Sequence, residues 1–147
     1  VSEHQPEDLG GPRLPSAVRT HLADARSHLA ESAAARTPAE RYVAAHLAAL
    51  RAAAAVLAAR PRPIDGRRRR LRSAWELLPE VEPRLTEWAA YFALSARKRA
   101  AAEAGLVRVV SARDADELVA EATRFVVTVE RLLGLPGQPT LPVTLAG

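Results

Sequence analysis

The stretch Arg41–Arg60, RYVAAHLAALRAAAAVLAAR, constrains the fold more than any other part of this 147-residue chain. Only Arg41, Tyr42, His46, Arg51 and Arg60 interrupt a run made otherwise of Ala, Val and Leu. A surface helix carries one apolar stripe, whereas a helix that is apolar on nearly every face must be surrounded by neighbours. Alanine combines the highest helix propensity with a small side chain, so other helices can approach closely. The expectation is the central helix of an all-α, antiparallel up-and-down bundle of four main helices plus one short helix.

The flanking sequence supplies the other helices. One begins near Pro15 or Ser16, and Val18, Leu22, Ala25, Leu29 and Ala33 mark its inward face to about Ala35. Thr37-Pro-Ala-Glu40 is a capping box that starts the central helix after a very short turn, and the prolines after Arg60 stop it. Ser73-Ala-Trp-Glu76 opens a short helical piece through Leu78, which Pro79 and Pro83 end or reset. A longer helix is predicted from about Pro83 to Ala104, with Leu85, Trp88, Ala89, Phe92 and Ala96 inward and Gly105 as its C-cap. Leu106–Val110 reads as a connector. Ser111 starts the last helix, whose stripe from Ala115 to Leu133 keeps the 3-and-4 spacing until Gly134. Residues 1–14 read as a disordered tail, 15–134 as the domain, 60–72 as an exposed basic loop within it and 135–147 as a flexible tail.

Composition excludes several chemistries. The absence of cysteine removes disulfides, thiolate metal sites, iron–sulfur clusters and cysteine nucleophiles, and fits a cytoplasmic protein. Val43–Ala59 comes nearest to a membrane span, but His46 and Arg51 break it, so no membrane association is expected. The first residues, VSEHQPEDLGGPRLP, have no apolar core and do not read as a signal peptide. No glycine-rich phosphate loop or nucleophile elbow occurs, and no cofactor is expected. His21 and His28 stand roughly two turns apart on one helix, too far to share a metal, so no metal site is expected.

The net charge of +4 is unevenly placed. Seven arginines (Arg60, Arg62, Arg67, Arg68, Arg69, Arg70 and Arg72) face one acid, Asp65, which gives +6 there and leaves −2 for the rest. A local arginine cluster on a slightly acidic domain is suited to phosphate backbones, without sequence preference. It is equally suited to an acidic protein partner. The other candidates are Arg41 and His46, at i and i+5. On a helix they lie about 140° apart, so they converge on one substrate only if a partner chain supplies the missing face. The alternative is a first-turn surface arginine and a satisfied core histidine near Tyr42.

ERYVAAHLAALRAAAAVL and ADELVAEATRFVVTVERLLG resemble the second and last helices of the HEPN superfamily. Trp88-Ala-Ala-Tyr-Phe and the arginine-rich insertion before Trp75 resemble a small stand-alone actinobacterial branch in particular. The likeness covers about Ser16 to Gly134. It implies a bundle of four to five helices, often dimeric, in a family associated with RNA cleavage, toxin–antitoxin systems and RNA or nucleotide binding. Active members carry an Arg and a His a few residues apart on a late helix. Arg41 and His46 satisfy that spacing, but on the second helix, and no histidine follows His46.

Three functions therefore stand as expectations. The favoured one is a non-catalytic HEPN-like module that binds RNA, nucleotide or a protein through the arginine loop. The others are a toxin-type ribonuclease using Arg41 and His46 across a homodimer, and a helical protein–protein adaptor.

Overall fold

The structure, a computed structural model, describes residues 14–60 and 72–135. The interior of the expected basic loop and most of both expected tails lie outside the described residues. Five α-helices follow in order: α1 (Ser16–Ala34), α2 (Pro38–Ala59), α3 (Ala74–Val81), α4 (Thr86–Glu103) and α5 (Ala112–Leu132). Short 3₁₀ turns at Pro83–Leu85 and Val107–Val109 precede α4 and α5. No strand occurs among the described residues.

The central helix is α2. Half of its 22 residues are buried, and it packs against α1, α3, α4 and α5. The alanines do what their size allows: Ala45, Ala48, Ala49, Ala52, Ala53 and Ala55 have no exposed surface. By length and hydropathy α2 also passes as a membrane span, despite His46 and Arg51, which sequence reading had treated as disqualifying. Here that apolarity is used within the fold, where 56% of the window is buried.

The caps form largely as the sequence predicts. Ser111 and Asp114 exchange side-chain-to-backbone bonds at the start of α5, as Ser73 and Glu76 do at α3. At α2 only one half forms, the Glu40 amide donating to Thr37 Oγ1 at 3.1 Å. Pro15 precedes α1 without a side-chain cap, so Ser16 is helical rather than capping. Gly105 closes α4 at φ 96°, letting the Leu106 amide reach Ala101 O at 3.0 Å and the Gly105 amide reach Ala102 O at 3.1 Å. Gly134 ends α5 in the same way.

Three details differ from the sequence reading. α3 continues through Pro79 to Val81, because the ladder resumes beyond the missing donor: the Glu82 amide bonds Leu78 O at 2.9 Å. The segment Pro83–Leu85 is a separate 3₁₀ turn instead of the first turn of α4. Finally, the inward faces of α1 and α4 run through Ser32 and Ser95, and not through Ala33 and Ala96. Both serines sit in the core because their hydroxyls donate to carbonyls of the preceding turn, Leu29 O at 2.8 Å and Phe92 O at 3.0 Å.

The core has an aromatic centre. Phe92 lies within stacking or edge distance of Trp75 (5.1 Å), Trp88 (6.0 Å), Tyr91 (5.0 Å) and Phe125 (5.2 Å). Four of the helices meet there, since His46 of α2 also stands edge-on to Trp75 at 5.9 Å and to Phe92 at 6.2 Å.

Candidate functional site

Arg41 and His46 leave α2 in different directions. His46 is 1% exposed and faces α4, where its Nδ1 lies 3.1 Å from Ser95 Oγ. The Ser95 hydroxyl already donates to Phe92 O, so it accepts from His46, which fixes the proton on Nδ1. Nε2 is then a buried lone pair without a hydrogen-bond partner among the described residues. Burial, with a smaller contribution from the Arg99 charge, lowers the His46 pKa to about 4. A group of this kind is neutral at ordinary pH and has no solvent route to a substrate.

Arg41 points to α5 and pairs with the exposed Asp116. The two residues therefore occupy different interfaces of α2, as their i, i+5 spacing requires. Tyr42, one turn from His46, donates weakly to Ser95 O at 3.5 Å, and burial raises its pKa. Ser95 thus serves both α2 side chains.

At the other end of α2, Arg60 and Arg72 flank the arginine segment. Arg60 Nε lies 3.4 Å from Glu82 Oε1, and Arg72 pairs with Glu80. Glu82 is a buried carboxylate that also takes Arg84 Nε at 2.6 Å. The hydrogen bond from Arg84 is the main cause of its lowered pKa, set against the opposing effect of burial. Both flanks are therefore tied to acids at the end of α3. Arg62, Arg67, Arg68, Arg69 and Arg70 lie outside the described residues.

Several residues of consequence escaped sequence reasoning. Ser95 was passed over for its apolar neighbour Ala96. Glu82, which no motif of the sequence singles out, is the hub of an ionic cluster. Glu130, 5% exposed on α5, receives both Arg26 Nε at 2.9 Å and Nη2 at 2.6 Å from α1. A carboxylate in an apolar stripe is the signal that would have found it. His21 and His28 lie apart, the first 3.4 Å from Arg51 and the second 2.9 Å from Glu31. Among the described residues, no three potential ligands gather around one metal position.

A protein-family model described as SAV_6107-like HEPN matches residues 32–130. No curated protein and no solved structure gives a significant match.

Proposed function

The chain belongs to the SAV_6107-like HEPN family, and from that premise we propose that it is a non-catalytic module that binds RNA through the arginines joining α2 to α3. The observation that carries this reading is the pairing of Arg60 with Glu82 and of Arg72 with Glu80. With those two arginines neutralised, five remain between them against Asp65, a balance of +4 on a connection fixed at both ends to the bundle. Short phosphate chains are the ligand such a charge suits. Buried, neutral His46 and paired Arg41 favour binding over cleavage. In this reading the bundle runs up and down. The three-residue connector between α1 and α2 and the pairing of the α4 C-terminal half with the α5 start, Lys98 to Asp114, support that order.

The test is a salt titration of a labelled single-stranded oligoribonucleotide. Five phosphate contacts give a slope of log affinity against log salt of about −3.5. Replacing Arg62 and Arg67–Arg70 with Ser should abolish binding, while Arg60→Ser or Arg72→Ser should change the slope by less than one contact's share. Binding that survives the five-fold replacement, or that ignores salt, overturns the proposal. RNA cleavage lost in His46→Gln with the fold intact would replace it with the ribonuclease reading.

A further inference from the structure

We infer that the groove between α1, α2 and the end of α4 docks a basic amphipathic helix of a partner protein. The polar contacts of α2 locate its neighbours, since successive residues turn by about 100°. Arg51 marks α1 through Asp24 and His21, Arg41 marks α5 through Asp116, and Tyr42 and His46 mark α4 through Ser95. Measured from Arg51, α5 lies at about 80° and α4 at about 200°, which leaves roughly 160° between α4 and α1. Equal cylinders around a central one need only about 60° each at helix packing distances, so the gap admits one more helix.

The part of α2 that faces this gap is apolar. Val43, Leu47, Leu50, Ala54 and Leu57 recur at steps of four and three and are all half-buried, as residues under an incomplete neighbour would be. Such a seam is the pattern by which one helix receives another. Arg60, which meets Glu82 after α3, lies at about 180° on the same scale and so outside this gap. Towards the N-terminal half the gap widens into a groove of about 580 Å³, floored by Ala39, Val43, Leu47 and Ala102. The small floor residues let a helix backbone approach.

Charge names the occupant. Glu31, Glu40 and Glu103 rim the groove. Arg99 pairs with Glu103 at 2.8 Å and His28 with Glu31 at 2.9 Å, but Glu40 has no cationic partner among the described residues. Arg36, on the connector, is exposed and does not line the groove. An apolar trough with an acidic rim selects a helix with leucine-like residues on one face and arginine or lysine beside them, the helix-in-groove mode of recognition.

The probe is a labelled synthetic helix of about fourteen residues, with Leu at the four-and-three spacing and flanking Arg. A second probe carries Glu for every Arg. Anisotropy at low salt should show saturable binding of the basic helix and none of the acidic one. Glu31→Arg with Glu40→Arg, both at exposed positions, should weaken the basic probe on the order of tenfold or more, because like charges then meet. Leu47→Asp should act in the same direction. Binding should persist in the variant lacking the arginines at 62 and 67–70, which separates this surface from the RNA reading. Equal affinity for both probes, or for the Glu31→Arg/Glu40→Arg variant with its circular dichroism unchanged, overturns the proposal. So does a sedimentation shift of the protein alone on Glu40→Arg, which would make the occupant a second copy of this chain.

Discussion

The two ends of α2 handle charge in opposite ways. Near its start, His46 and Tyr42 turn inward to meet Ser95, while Arg41 pairs with Asp116 and Glu40 is exposed. At its end the arrangement is ionic, with Arg60 and Arg84 converging on the buried carboxylate of Glu82. The first end is a packed aromatic site holding a neutral histidine. The second is a charged clamp at the root of the basic segment. Two arginine-bearing stretches that look alike as candidate sites are thus a piece of core and a surface mount. Burial, rather than residue type or spacing, separates them.

The largest test of that contrast removes the aromatic that holds the interior end together. Phe92 is fully buried and touches His46, Trp75, Trp88, Tyr91 and Phe125, and its carbonyl orients Ser95. Phe92→Ala should cost about 3–5 kcal/mol. Urea unfolding should show a lower midpoint at an unchanged slope. A cost within about 1 kcal/mol, the range of surface changes, would mean that this end is not packed as described.

A smaller effect sharpens the same point through pH. The His46 pKa falls from 6.5 to about 4 on folding. Below pH 6.5 the unfolded chain takes up a proton that the folded one refuses, so stability declines as pH drops from about 6.5 to 4 and then levels off. The full loss is at most about 3 kcal/mol, from the free energy of each pKa unit. His46→Gln cannot titrate and should lose this part of the pH dependence. Equal slopes for the two proteins between pH 7 and 4.5 would place His46 in contact with solvent.

Most of the fold could be read from local signals, and most of the polar interior could not. The caps at Ser73 and Ser111, the glycine stops at 105 and 134, and the all-round apolarity of α2 are short-range features, and each stands where its residues predict. The inward stripes went astray at Ser32 and Ser95 because an apolar-spacing rule prefers the neighbouring alanine. A serine that returns its hydroxyl to its own helix is cheap to bury, and the rule does not register that. Glu82, and Glu130 beyond its break in an apolar stripe, were illegible for another reason. Their burial depends on arginines supplied by other elements, Arg60 across 22 positions and Arg26 across 104. Nothing local marks such pairs. The Arg41–His46 spacing was visible, but the directions of the two side chains depend on which helices α2 meets.

The smallest expected effect concerns Arg41. Its pair with Asp116 joins a partly exposed guanidinium to a carboxylate that is 67% exposed, and pairs of that kind contribute about 0–1 kcal/mol. Arg41→Gln should therefore leave the urea midpoint almost unchanged. A double-mutant cycle with Asp116→Asn should return a coupling of about 0.5 kcal/mol that shrinks as salt is added. Under the proposed function RNA affinity should not move, because the segment proposed to bind follows Arg60, which stands about 30 Å along α2 from Arg41 at 1.5 Å per residue. If Arg41→Gln instead abolished an RNA-cleaving activity while stability held, the two ends would exchange roles. Arg41 would then be part of a site completed by a second chain, and the contrast between core and mount would fail at the residue where it costs least to test.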